Sequence, residues 1–333
     1  DELVDPGVAD HAHLDLFPGG PVSDRGSAVF IPAQDAVDHF LSVATDLECF
    51  AVTRMLGPDV AVLHVENENP LLVACAAQRG VLPLIEAAAQ GQPLPAAAGA
   101  ALPLADVTLE APLPLPRRNL WCVGRNYHEH AKELQGSVFK NNNSNPAVWP
   151  IVFTKVPECV VADRADVLLP GDEVSPQIDY EAELAVVIGT GGKNIAKADA
   201  MKHIYGYTIV NDVTARDVQM RHQQWDMGKS FDTFCPMGPW IVTADELDGQ
   251  HTRVRCWVND QPRQDGRTED LIFDIPTLIE TISRGITLYP GDVIATGTPA
   301  GVGLGMTPPT FLKSGDVVRI EIDGIGTLQN RFV

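Results

Sequence analysis

Basic residues are scarce. The 333-residue chain carries 24 Lys and Arg against 44 Asp and Glu, a formal net charge of −20. A surface this acidic argues against nucleic-acid binding through the phosphate backbone, which needs clustered Lys and Arg. It also argues against docking on an anionic membrane. A small anionic substrate stays compatible, because a site can be locally positive within an acidic protein. No C-x-x-C pair occurs among the six cysteines, Cys49, Cys75, Cys122, Cys159, Cys235 and Cys256. Most sit among apolar neighbours, so buried thiols in a reducing compartment are expected, not disulfides or a zinc site. No run approaches the ~20 apolar residues of a membrane span. The opening residues, DELVDPGVAD, have neither a basic start nor an apolar core. No secretory leader is expected from them, and a cytoplasmic location is the default expectation. Two phosphate-binding patterns are missing as well. No G-x-x-x-x-G-K-[ST] is present, and Met306 stands where G-x-G-x-x-G needs its third Gly.

What is present divides the chain into three expected parts. Residues 1–47 read as a polar N-terminal extension with one helix around DAVDHFLSVATDL. Residues 48–116 read as a small N-terminal α/β domain that ends in a Pro/Ala-rich connector. Its two strands, CFAVTRML and VAVLHVE, flank a Gly-Pro-Asp turn, and one or two short helices follow. From residue 117 to 333, short β-rich runs alternate with Gly/Pro turns. Helical patterns interrupt only at AKADAMKHI, TARDVQMRHQQW and IPTLIETISRG. The fold class is therefore α+β and mainly β, a sandwich or roll with peripheral helices.

The stretch IDYEAELAVVIG reads as a buried strand, yet it carries Glu181 and Glu183. Side chains two apart on a strand share a face. Both faces are apolar further along, so the strand is expected to be covered on both sides. Two like charges there repel, and each loses hydration. Arg partners, protonation or a divalent cation could compensate, and a hard cation suits several carboxylate oxygens at once. Asp212 ends the apolar run YTIV and is the candidate third ligand. Asp217 competes, but it falls inside a helical pattern where an ordinary first-turn role suffices. E-x-E alone leaves a metal site and a solvated strand face both open.

Other constellations are weaker singly. His130 and Glu133 are three apart on a helical pattern, where a carboxylate can orient an imidazole as a base. Spacing alone favours a surface helix with a weak pair, and His128 is read as solvated. Lys229 sits in an apolar, aromatic setting, either snorkelling or facing a polar pocket. Arg216 and Gln219 could present donors to an anion or could lie on an exposed helix face. The loop in GDVIATGTPAGVG could bring backbone N–H groups close to a ligand. The early HAH at 11–13 follows no strand and resembles a metal motif only superficially.

Together the segments CVGRNYHEHAKE, DYEAELAVVIG, GYTIVNDVTARDVQ, KSFDTFCPMGPWIVT, TLYPGDVIATGTPAGVG and GDVVRIEIDGIGTLQN resemble the fumarylacetoacetate hydrolase (FAH) family over residues 117–333. The resemblance implies a mixed β-sandwich roll, a homodimer and a divalent metal, Mg²⁺ or Mn²⁺. It implies Glu181, Glu183 and Asp212 as metal ligands and His130 with Glu133 as a water-activating dyad. It matches Lys229 to the family lysine, Arg216 and Gln219 to substrate-binding residues, and Thr298 to the family threonine of T-G-T-P. The implied activity is metal-dependent hydrolysis of a C–C bond in a short 2,4-dioxo acid of the acylpyruvate or fumarylpyruvate type. That reaction gives pyruvate and a carboxylic acid through a metal-bound enolate. The alternatives are an oxaloacetate-type decarboxylase, a 2-hydroxyhepta-2,4-diene-1,7-dioate-type isomerase, and a non-enzymatic 2-oxo acid binder. The expected partner is the small anionic 2-oxo acid itself, with no nucleic acid and no membrane.

Overall fold

The computed structural model describes residues 50–54, 61–64, 79–92, 108–133, 148–221 and 224–333. The helix expected near residue 40 and the HAH stretch lie outside the described residues. Strand β8 (Ala182–Ile188) is the central element, and all seven of its residues are buried. Its alternation sorts the core as the sequence reading expects. Ala182, Leu184, Val186 and Ile188 face one apolar cluster, and Ala185 and Val187 face another. Such two-sided burial explains why the strand reads as a near-continuous hydrophobic run.

Strand β8 lies in a nine-stranded mixed sheet. Along it run β2 (Ala61–His64), β1 (Phe50–Arg54), β11 (Cys235–Thr243), β9 (Ile204–Asn211), β8, β14 (Val293–Ala295), β3 (Leu120–Gly124) and β4 (Ile151–Lys155). The ninth strand, β5 (Val160–Val161), follows β4 after one 3₁₀ turn and pairs with β11. The far edge is thereby brought back to the middle, and the sheet curls round on itself. A second sheet of five strands packs against one face. Its order is β13 (Gln261–Arg267), β12 (Arg253–Val258), β15 (Val317–Ile322), β16 (Gly326–Phe332) and β6 (Asp166–Val167). Val254, Cys256, Val318, Ile320 and Leu328 of that sheet meet Leu184, Val186 and Ile209 of the larger one. On the other face, helix α1 (Leu82–Ala89) inserts Leu82, Leu84 and Ile85 against Ala185, Val187 and Val210. The molecule is therefore mainly β with few helices.

Among the described residues four further helices are short: α2 (His128–Glu133), α3 (Arg216–Arg221), α4 (Asp226–Lys229) and α5 (Ile275–Ser283). The expected AKADAMKHI helix is present as a 3₁₀ helix over Lys197–His203. The TARDVQMRHQQW pattern gives only α3 among the described residues. Strand β13, QPRQDGR, has no counterpart in the sequence reading. It pairs with β12 alone and carries mostly polar, exposed or half-buried side chains, so it lacks the apolar alternation that marks a strand. No helix among the described residues is long and apolar enough to cross a membrane. The four described cysteines, Cys122, Cys159, Cys235 and Cys256, are free and buried.

Candidate active site

Antiparallel pairing of β8 with β9 places Ala182 opposite Asn211 and Glu183 opposite Val210. Beyond the ladder, Asp212 N–H donates to the Glu181 carbonyl at 2.9 Å, and the Asn211 side chain accepts from Glu181 N–H at 3.0 Å. Register alone therefore brings Glu181, Glu183 and Asp212 to one spot. Carboxylate oxygens of the three lie within 4.8 Å of one another, and all three residues are buried. A small two-stranded ladder of β7 (Ile178–Asp179) and β10 (Thr214–Ala215) then turns the chain into α3, whose first residue is Arg216.

Cations crowd this acidic spot. Lys229 Nζ lies 2.7 Å from Glu181 Oε2 and 2.6 Å from Asp212 Oδ2. Arg216 Nη1 lies 2.7 Å from Glu181 Oε1, and its Nε donates to Asp179 at 2.8 Å. Helices α3 and α4 approach closely because Gly228 has no side chain; a Cβ there would fall 2.5 Å from Gln219 N. That approach sets Lys229 beside Arg216 and Gln219, all of which are buried.

The charges do not balance evenly. With Glu183 ionised, as a metal ligand would be, Glu181, Glu183, Asp212 and Asp179 face Lys155, Lys229 and Arg216, and one negative charge is left over. Burial alone would raise the Glu181 carboxyl, but Lys229 and Arg216 outweigh it and hold it far below the usual range. Glu183 is pushed well above that range by burial and by repulsion from Asp212 and Glu181. Its Oε2 accepts from Gly297 N–H at 2.7 Å. Asp212 Oδ1 has Lys155 Nζ at 2.8 Å but no aligned hydrogen bond. A divalent cation fits this set: hard oxygen donors, close together, with residual negative charge and one poorly satisfied oxygen. The triad could hold such an ion.

The dyad reading needs correcting from the surface pair that spacing favoured. His130 is buried, and its Nδ1 lies 3.1 Å from Glu133 Oε2. Glu133 Oε1 accepts from Gly301 N–H at 3.0 Å, which fixes the carboxylate from the far side. His128 is exposed, as expected, so the two histidines share no metal site. Arg216 and Gln219 are buried at the site and do not form an exposed helix face. Asp217 accepts from the Ser175 hydroxyl and pairs with Arg221, away from the triad. The TGTPAGVGLG loop departs from expectation in one respect. Its Gly297, Gly301, Gly303 and Leu304 N–H groups bond the protein's own Glu183, Glu133 and Asp179.

A pocket of about 290 Å³, counting its open mouth, is lined by His130, Glu181, Glu183, Arg216, Gln219, Lys229 and Thr298 among others. Glu133 and Asp212 stand just behind this lining and brace His130 and Lys229. Thr298 accepts from the Gln264 side chain at 2.7 Å and donates to the Ala182 carbonyl at 2.9 Å. Three residues of the site went unnoticed in the sequence. Lys155 ends β4 fully buried, and burial would depress its ammonium if Asp212 did not hold it high. Asp179 collects Arg216 and three backbone N–H groups. Arg125 is part of the pocket wall. A charged residue closing an apolar run, as Lys155 does in PIVFTK, was the available signal.

The model of the fumarylacetoacetate (FAA) hydrolase C-terminal family matches residues 119–333. This chain belongs to the FAH family. It is 50% identical over 230 residues to the oxaloacetate tautomerase YisK of Bacillus subtilis (strain 168), a match spanning 69% of this chain and 74% of that protein. It is 45% identical over 235 residues to the mitochondrial oxaloacetate tautomerase FAHD2A of Homo sapiens, spanning 70% and 71% of the two. Among solved structures, a fumarylacetoacetate hydrolase from psychrophilic Exiguobacterium antarcticum superposes with a TM-score of 0.69 at 38% identity, covering 86% of this chain and 99% of that one. A 5-carboxymethyl-2-hydroxymuconate delta-isomerase from Mycobacterium smegmatis gives a TM-score of 0.60 at 41% identity, covering 71% and 86%. In this chain the pocket joins an acidic triad to a buried imidazole–carboxylate pair.

Proposed function

We propose that this chain catalyses keto–enol tautomerisation of a short 2-oxo acid, with oxaloacetate the first candidate, using Mg²⁺ or Mn²⁺ in the triad. The observation that carries the proposal is the buried His130–Glu133 pair facing the same pocket as Glu181, Glu183 and Lys229. The 50% identity to an oxaloacetate tautomerase orders the reactions. It puts proton transfer ahead of the C–C hydrolysis that the sequence favoured.

A divalent cation at the triad would draw electron density from the 2-oxo group and ease loss of a proton from C3. With its Nδ1–H donating a hydrogen bond to Glu133 Oε2, His130 keeps the Nε2 lone pair free to act as base. His130 then takes the C3 proton and Lys229 returns one to the C2 oxygen; the reverse steps run from enol to keto. Arg216 and Gln219 orient the substrate's polar groups, and Thr298 helps to shape the floor of the pocket. Phe153 and Trp225, whose rings meet edge to face at 5.1 Å, form the apolar part of the pocket wall.

The same pair supports a second reading. An imidazole oriented by a carboxylate also activates water, which would cleave an acylpyruvate to pyruvate and a carboxylic acid. One assay separates the readings. Enol oxaloacetate is followed by ultraviolet absorbance, with Mg²⁺ or with EDTA, and pyruvate release is measured from oxaloacetate and acetylpyruvate. Metal-dependent enol loss without pyruvate is the expected result. Pyruvate from acetylpyruvate would move the assignment to hydrolase, and pyruvate from oxaloacetate to decarboxylase. No effect on any of these would overturn the proposal.

A further inference from the structure

Tyr180 stands between Asp179 and Glu181 in the chain, and its ring is packed in the apolar core at 2% exposure. A phenyl ring would fill that place equally well. The hydroxyl adds what core packing does not need: it donates to the Gly301 carbonyl at 2.8 Å, across a separation of 121 residues. A hydroxyl taken out of water costs free energy unless it is bonded, so this bond accounts for its presence. Tyr180 does not line the pocket, so its effect on the reaction must pass through another group.

That group is Gly301. The glycine whose carbonyl Tyr180 holds gives its own N–H to Glu133 Oε1 at 3.0 Å. Gly301 sits at φ 108°, and a Cβ there would fall 1.9 Å from the Arg263 carbonyl oxygen, so glycine alone can present both groups. Farther along the loop, Asp179 accepts from Gly303 and Leu304 N–H at 2.7 and 2.9 Å. Gly305 then lies flat against the same carboxylate; a Cβ there would stand 2.1 Å from Glu133 Cδ. Two neighbouring residues, Asp179 and Tyr180, thus fasten the loop, and the loop meets Glu133 at Gly301 and Gly305.

The other oxygen of Glu133, Oε2, faces His130 Nδ1 at 3.1 Å. Both oxygens belong to one rigid plane, so where the loop holds Oε1 decides how Oε2 meets the ring. We infer that Tyr180 is a positioning residue for the His130–Glu133 base: through Gly301 it fixes the carboxylate plane, and with it the orientation of the imidazole. The inference rests on the proposed reading of His130 as the base of a tautomerase.

Its test is a double-mutant cycle. Tyr180→Phe keeps the ring and its packing and removes one oxygen. It should lower kcat for oxaloacetate tautomerisation by about three- to tenfold, the worth of one hydrogen bond. KM and Mg²⁺ affinity should stay within about twofold of wild type. In a Glu133→Ala background the same substitution should change kcat by less than about twofold, because the group it acts through is gone. A merely structural tyrosine would cost the same in both backgrounds. Equal losses in the two backgrounds, or an unchanged kcat in Tyr180→Phe, would overturn the inference. So would a loss of Mg²⁺ affinity in place of kcat, which would put the effect on the adjacent Glu181.

A second readout needs no turnover. In protein labelled with ¹⁵N-histidine, the Nδ1–H signal of His130 is identified by its absence from His130→Ala. Tyr180→Phe should speed the exchange of that proton with solvent, and an unchanged exchange rate would overturn the inference. Wild-type protein that leaves enol oxaloacetate untouched would overturn the tautomerase reading instead. The exchange rate alone would then decide whether Tyr180 holds the pair.

Discussion

Lys155 Nζ and Asp212 Oδ1 meet at 2.8 Å, and neither side chain is exposed to solvent. The lysine also donates to the carbonyls of Val213 and Lys229, so it ties the triad's third acid to the segment that carries the site lysine. Removing one partner of a buried pair leaves an uncompensated charge. Lys155→Met should therefore destabilise the fold by about 3 kcal/mol. Chemical denaturation, read against wild type, checks this; a change below about 1 kcal/mol would mean that Lys229 alone suffices for Asp212.

Glu183 offers a change with opposite signs in two assays. Burial and the neighbouring Asp212 and Glu181 all disfavour its charge. Glu183→Gln should raise the melting temperature in EDTA, because the repulsion is gone. The same variant should lose Mg²⁺ binding by at least about tenfold, since a charged hard ligand is gone. A melt with chelator and a Mg²⁺ titration decide both halves. Unchanged Mg²⁺ affinity would remove Glu183 from the metal set.

The dyad is tested by rate and by binding. His130→Ala should cut turnover by about 10²- to 10⁴-fold, the usual worth of a positioned acid–base group. Binding of oxamate in Mg²⁺ buffer should persist. Glu133→Gln should give a smaller loss than His130→Ala, because it disturbs the orientation of the ring without removing it. Turnover of His130→Ala near the wild-type rate would exclude the imidazole as the base.

A stability prediction with a pH signature comes from α5. Asp274 caps this helix by accepting from Thr277 N–H at 2.9 Å, and it pairs with Lys197 at 2.8 Å. Burial alone would raise its pKa, but Lys197 and Thr277 outweigh that and lower it. A carboxyl whose folded pKa is depressed stabilises above its unfolded value, and the gain disappears as pH falls through the folded value. Asp274→Ala should thus cost about 1 kcal/mol at neutral pH. The gap to wild type should narrow as pH drops below about 4, the ordinary Asp value. A constant gap down to pH 2 would assign the effect to packing.

Much of this was legible in the sequence because the relevant physics is local. Strand β8 announces itself by an unbroken apolar run, and the alternation within it correctly sorts Leu184 from Ala185. Glu181 and Glu183 stand out as charges that such a strand cannot carry without compensation. Asp212 followed from looking for an acid at the end of the neighbouring strand. What was not legible depends on chain segments that meet only in three dimensions. Nothing around His130 says that Gly301 will close over Glu133 and that the helix face will be buried. Lys155 looked like the polar end of a strand until the curl of the sheet brought it to Asp212. Strand β13 was invisible because an edge strand needs no apolar alternation.

The loop after β14 has a consequence for how this site can change over time. The N–H groups of its Gly297, Gly301 and Gly303 fasten Glu183, Glu133 and Asp179, which serve the triad, the base and the arginine brace respectively. Gly297 sits at φ 105°, and a Cβ there would press on Asn126. A substitution in this loop is therefore pleiotropic: it disturbs three chemical tasks together, and no single one can be tuned alone.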